Sequence, residues 1–181
     1  MVATANLEND HVHILKLCDV MELMTREEKI DPLDMETVVS LIRNFADGLH
    51  HRKEEDLLFP KMGEKGFSPD QGPVAVMLHE HVQGRNYVGG IAANLELYKS
   101  GDPEAVKIIY MNMSDYVSLL RDHIAKENNI LFRMADNALS DEEQQQLLSE
   151  FKKAEDNQPA GTTYGEFISQ IEQLAKKYNK G

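Results

Sequence analysis

Cysteine is nearly missing from this chain: Cys18 is the one thiol in 181 residues. No internal disulfide can form, which agrees with a reducing compartment. Long apolar runs are missing as well. No stretch approaches the roughly 18 consecutive apolar residues of a membrane-spanning helix. The opening MVATANLENDHVH has neither the basic nor the apolar segment of a secretory signal. These absences predict a cytoplasmic protein with no membrane partner. Positive charge is also scarce, with 19 Lys+Arg against 31 Asp+Glu and a formal net charge of -12. That balance repels phosphate backbones and argues against nucleic acid as a partner. With 41% hydrophobic residues, the chain can bury one good core and is short for two full domains.

What is present in quantity is helical periodicity. From Leu7 to about Met24, the residues Val12, Ile14, Leu15, Leu17, Cys18, Met21 and Met24 recur at helical spacing. DPLD at 31–34 places a proline beside an acidic cap, and a second periodic run is expected to end at Phe59, before Pro60. A Gly/Pro-rich loop at 63–73 precedes a third helix, Val74 to about Lys99. SGDPE at 100–104 then starts a fourth, which reaches about Ala138. Four long helices with short connections predict an all-α, up-down-up-down four-helix bundle over residues 1–139. Residues 140–181 are expected to form a C-terminal helical extension packed on it. There SDEE at 140–143 reads as a capping box leading a helix to about Lys153, NQPAGTT at 157–163 is a loop, and Tyr164 to Tyr178 is amphipathic.

An internal repeat carries the chemistry. HHRKEEDLLF on the second helix superposes on HIAKENNILF on the fourth as H-x-x-K-E-x-x-x-L-F, pairing His50 with His123 and Glu54 with Glu127. DHV at 10–12 on the first helix mirrors EHV at 80–82 on the third. Residues four apart share a helix face, so each H-x-x-x-E aims an imidazole and a carboxylate at one point. Two such pairs, with His11 and His81, make a shell for two metal ions inside a bundle. Mixed imidazole and carboxylate donors suit borderline divalent metals such as iron. His51 breaks the symmetry, because its counterpart is Ile124. If it joins, one metal has His11 and His50 while the other has His51, His81 and His123. That inequality leaves one metal with an open position for a small ligand.

With those motifs in place, residues 7–138 resemble the hemerythrin-like, cation-binding HHE family. Its members are similar in having a His on the first helix, a His-x-x-x-Glu ending in LFP on the second, an EH on the third and a second His-x-x-x-Glu on the fourth. The resemblance implies a non-haem di-iron centre, bridged by Glu54 and Glu127 and by an oxo or hydroxo group. The resemblance carries over to His11, His50, Glu54, His81, His123 and Glu127; with His51 added from the broken repeat, the metal set is seven residues. It also implies binding or sensing of O2, NO or peroxide. The alternative is a redox enzyme that reduces NO or peroxide, or donates iron for iron-sulfur cluster repair. Classical oxygen carriers are similar in using H-x-x-x-H on the third helix, where this chain has Met77 and Arg85 around His81. Reversible oxygen carriage therefore does not carry over on the resemblance alone.

Competing readings stand beside these. His13 and His79, which the repeat does not select, are expected as hydrogen-bonded core residues or as supports for ligands. Glu55 is expected at the surface. Helix direction predicts a ligand pocket among Ile14, Leu15, Cys18, Ala46, Gly84, Val88, Leu119 and Leu120. Tyr116, seven residues before His123, faces either the centre or the core. An iron-storage role ranks lowest, because only ENDH, with Glu8 and His11, fits the Glu-x-x-His of ferritin-like bundles.

Overall fold

A computed structural model describes residues 2–158 and 161–179. Among them the chain is helical throughout, in six helices joined by short loops. Helix α1 spans Thr4–Met24. Helix α2 begins at Pro32, where the Asp31 carboxylate accepts from the Leu33 N–H, and continues to Glu64. Helix α3 spans Pro73–Lys99. It is entered through Gly72 at φ 77° and left through Gly101 at φ 100°, two backbone settings that favour glycine. Helix α4 starts at Ala105 and runs to Ala138. Helix α5, Asp141–Asp156, opens on the expected Ser140/Glu143 capping box and extends past Lys153. Helix α6, Tyr164–Tyr178, has a second box, Thr163/Glu166, which the sequence reading did not identify. Pro159 and Ala160 of the expected 157–163 loop lie outside the described residues.

The backbone departs from expectation at two places, both on the repeat helices. Helix α2 does not stop before Pro60. It is π-helical over Ile42–His51 and Glu54–Leu58, then α-helical over Phe59–Glu64, where Pro60 falls in the first turn and its missing N–H is tolerated. Helix α4 repeats the device at Glu127–Leu131. The Phe59 and Phe132 N–H groups reach back five residues, to the Glu54 and Glu127 carbonyls. Such widened turns concentrate at functional sites because they re-aim side chains that a regular helix would spread apart. Here they let the adjacent His50 and His51 both face inward, at 1% and 5% exposure.

Two apolar clusters flank the polar interior. One contains Ile14, Leu17, Met21, Val38, Phe45, Ile91 and Met113; the other contains Leu7, Leu58, Phe59, Val74, Met77 and Phe132. On α1 the chain passes from the second cluster at Leu7, through His11, to the first at Ile14. On α2 it passes the other way, and α3 and α4 repeat the alternation around His81 and His123. Every histidine of the repeat thus sits where its helix crosses between clusters. The last helices close the ends, with Phe167 and Ile171 of α6 in the first cluster and Leu147 and Phe151 of α5 in the second. Val12, counted with the apolar face of α1, is 63% exposed.

Candidate metal centre

All seven residues singled out by the repeat and its neighbours converge, and none is more than 5% exposed. They fall into two groups whose nitrogen and oxygen atoms lie within 4.8 Å of one another: His11, His50, Glu54 and Glu127, and His51, Glu54, His81 and His123. Within the first, His11 Nε2 and His50 Nε2 are 3.0 Å apart; within the second, His81 Nε2 and His123 Nε2 are 3.2 Å apart. Each carboxylate spans both groups. Glu54 sets Oε1 3.6 Å from His50 Nε2 and Oε2 3.5 Å from His81 Nε2. Glu127 sets Oε2 3.3 Å from His11 Nε2 and Oε1 3.2 Å from His123 Nε2. His51 stacks on His81 with ring centroids 3.8 Å apart, and its Nε2 has no hydrogen-bond partner.

The opposite edge of every ring is anchored. His11 Nδ1 donates to Asn128 Oδ1 at 2.7 Å, and His50 Nδ1 to Asp10 Oδ2 at 3.2 Å. His51 Nδ1 donates to Asp47 Oδ1 at 3.2 Å, His81 Nδ1 to Glu55 Oε1 at 2.7 Å, and His123 Nδ1 to Glu80 Oε2 at 2.9 Å. An oxygen at Nδ1 fixes the proton there and turns the Nε2 lone pair inward, which is how proteins orient imidazoles toward metals. Glu55 therefore supports His81 rather than lying free at the surface. Neither unselected histidine is the expected buried core residue: His13 is half-buried with its ring edge to face on Tyr164, and His79 is exposed, because both stand on the outward faces of their helices.

The repeat explains more than its ligands. Lys53 reaches Asp10 and Lys126 reaches Glu80, so each repeated lysine grips the carboxylate that holds the histidine of its own repeat. Phe59 stacks on His81 and Phe132 on His11, so each repeated phenylalanine backs a histidine of the other hairpin. These supports escaped the sequence reading, although Asp10 and Glu80 stand directly before the matched histidines in DHV and EHV.

Electrostatics mark the interior as built for a cation. Among the described residues, all four oxygens of Glu54 and Glu127 are buried without a hydrogen-bond partner, an arrangement that costs several kcal/mol unless something positive faces them. Burial and the neighbouring Glu127 hold the Glu54 carboxyl well above its ordinary range. Burial lowers His50 to about 4 and His51 well below its usual value, keeping both neutral lone-pair donors. Burial opposes charge on His123 too, but Glu127 and Glu80 outweigh it and lift this ring to about 9. Without a cation, His123 is thus the protonated partner of Glu127. Donor chemistry and spacing both fit a first-row metal: two nitrogens each about 2.1 Å from one ion, at right angles, stand about 3.0 Å apart.

A cavity of about 120 Å³ reaches the second group, bordered by His51, His81, Gly84, Val88 and Tyr116. It has room for about four waters, or a ligand of a few atoms. Its position corrects the expected pocket. Gly84 and Val88 line it, whereas Ile14, Cys18, Ala46 and Leu120 pack into the first apolar cluster and close the route between the helices. The opening lies instead between α2 and α3, where Arg85 bridges Asp47 at 2.8 Å and Glu55 at 2.7 Å. Tyr116 faces this cavity, and its hydroxyl makes no hydrogen bond to a described residue. Burial, with smaller contributions from Cys18 and Asp47, raises it well above the ordinary phenol range, so it remains a donor.

Comparison with known proteins yields a match to the Hemerythrin HHE cation binding domain model over residues 2–135. Among curated proteins, the chain is similar to the iron-sulfur cluster repair protein YtfE of Escherichia coli O157:H7, 35% identical over 89 residues. That match covers 48% of this chain and 40% of the relative. The protein of the same name from Shigella boydii serotype 18 is 34% identical over the same shares. The matched stretch thus spans well under two thirds of these relatives. No solved structure matches the chain.

Proposed function

Because the chain belongs to the hemerythrin HHE cation-binding family, we propose that His11, His50, His51, Glu54, His81, His123 and Glu127 hold two non-haem irons and that the protein binds or senses O2, NO or peroxide. The observation that carries this reading is the anchoring of five imidazoles through Nδ1 around two carboxylates whose oxygens have no other partner. The fold within it is an up-down-up-down four-helix bundle over residues 1–139, braced by 140–181. The alternating passage of α1 to α4 between the two apolar clusters supports that arrangement. A reducing, cytoplasmic setting suits the buried, unpaired Cys18, whose thiol burial pushes up to about 12.

When bound, the irons supply one- and two-electron chemistry toward a small oxidant. The chain's own residues set its access and fate. Ile42 and Val88 give the cavity apolar walls, Gly84 leaves space beside Tyr116, and the Tyr116 hydroxyl is the donor within it. Arg85 ties the supports of His51 and His81 together at the rim, holding the two rings stacked. A ligand entering here meets the three-histidine position, so access selects that side although His11 and His50 offer fewer nitrogens.

A second reading, iron-centred turnover or iron donation for iron-sulfur cluster repair, is favoured by the similarity to iron-sulfur cluster repair proteins. An anaerobic iron count followed by an optical titration with O2, NO and peroxide separates the two. Stoichiometric, reversible colour changes support binding. Repeated turnover, or passage of iron to an apo iron-sulfur protein, supports the enzyme. A protein that stays colourless with all three refutes both.

A further inference from the structure

The two halves of the repeat are chemically alike but differently enclosed. Asp10 and Lys53 are both 0% exposed, with Lys53 Nζ 2.7 Å from Asp10 Oδ2. The matching Lys126 side chain is 38% exposed, and its partner Glu80 is at the edge of the site. The difference comes from α5 and α6, which lie beyond the residues matched by the family. Helix α5 brings Glu155, which accepts from Lys53 Nζ at 3.2 Å and Asn6 Nδ2 at 2.9 Å, and Phe151, whose ring lies under Lys53. Helix α6 brings Tyr164, whose hydroxyl donates to Asp10 Oδ1 at 2.9 Å and accepts from Asn9 Nδ2 at 3.1 Å. Both Asp10 oxygens are thereby committed, one to Tyr164 and the other to Lys53 and His50. Among the described residues the opposite half has no such cover, and its His51 and His81 border the cavity.

From this, and resting on the two-iron reading above, we propose that Glu155 and Tyr164 are positioning residues that lock Asp10, and through it His50, so that the two metal positions differ in exchange. The position at His11 and His50 retains its ion. The cavity-side position at His51, His81 and His123 loads and releases one. The C-terminal helices thus convert a nearly symmetric repeat into one fixed and one exchangeable site. That division suits iron donation, since one ion can leave while the other keeps the site assembled.

The test uses the full chain loaded anaerobically with ferrous iron and mixed with excess bipyridyl. Two release phases of equal amplitude are expected. Tyr164→Phe, which removes one hydroxyl, accelerates the slow phase about tenfold and leaves the fast phase unchanged, in line with the usual effect of losing a partner behind a metal-bound histidine. Glu155→Gln acts in the same direction, and Lys126→Met accelerates the fast phase alone. Mössbauer spectra give a readout independent of folding: two doublets of equal area, of which Tyr164→Phe displaces one. Release of both irons in a single phase overturns the inference, as does a Tyr164→Phe protein in which both phases or neither respond. Loading of fewer than two irons, measured before the chelator is added, overturns the two-iron reading and the inference with it.

Discussion

Lys53 and Lys126 occupy the same place in the repeat, yet replacing each by Met has very different consequences. Lys53 Nζ is fully buried against Asp10 at 2.7 Å, Asn6 at 2.7 Å and Glu155 at 3.2 Å. Removing one partner of a buried ion pair costs about 3–5 kcal/mol, because the remaining charge keeps its desolvation penalty. His50 and Tyr164 still reach Asp10 after the change, which places the expected loss near the lower end, about 3 kcal/mol. For a chain of this size that is a fall in Tm of about 6–12 °C. Lys126 pairs with Glu80 at the protein's edge, where such contacts contribute about 0–1 kcal/mol, or at most about 4 °C. Urea and thermal unfolding of the two metal-free variants measure the contrast. Losses equal to within about 1 kcal/mol would refute the argument that α5 and α6 seal one half of the site.

Other outcomes follow from the same geometry. In the metal-free protein near neutral pH, His123, lifted to about 9, keeps a proton that a cation must displace, and burial beside Glu127 biases Glu54 toward its protonated form. Metal uptake should therefore release the His123 proton, and affinity should rise with pH until His123 loses that proton near 9; calorimetry in buffers of different ionisation enthalpy measures this, and release of none contradicts it. Gly84→Leu should leave iron content unchanged and slow ligand association in stopped-flow, because even a Cβ there meets Tyr116 at 3.4 Å. Tyr116→Phe should weaken small-ligand binding about fivefold, the worth of one hydrogen bond of about 1 kcal/mol, with no loss of metal; an unchanged affinity would remove Tyr116 from the ligand's surroundings.

Much of the candidate site, as a cluster of converging side chains, was legible in the sequence because its signal is one of residue type and spacing. The gapless match of HHRKEEDLLF with HIAKENNILF selected His50, Glu54, His123 and Glu127, and DHV with EHV added His11 and His81. His51, chosen because it broke the repeat, completes the second group. The π-turns were not legible, because a hydrogen bond shifted from four to five residues back leaves no residue signature. That also moved the pocket: regular helix geometry pointed to Cys18 and Leu120, while the widened α2 brings His51 to a cavity beside α3. Glu55 was misplaced because its partner, His81, is on another helix. The signals that could have found the supports were present in Asp10 and Glu80, repeated before the matched histidines, and in Asp47, one helical turn before His51. The role of α5 and α6 depends on contacts between residues about 100 or more apart, such as Lys53 with Glu155 and Asp10 with Tyr164, which no local pattern encodes.

The iron content of anaerobically loaded, desalted protein tests the central claim most directly. Glu54 belongs to both ligand groups, so the wild-type chain should retain two irons and Glu54→Ala should retain almost none while remaining helical by circular dichroism. A wild-type chain that saturates at one iron, or a Glu54→Ala chain that still holds two, would contradict the account.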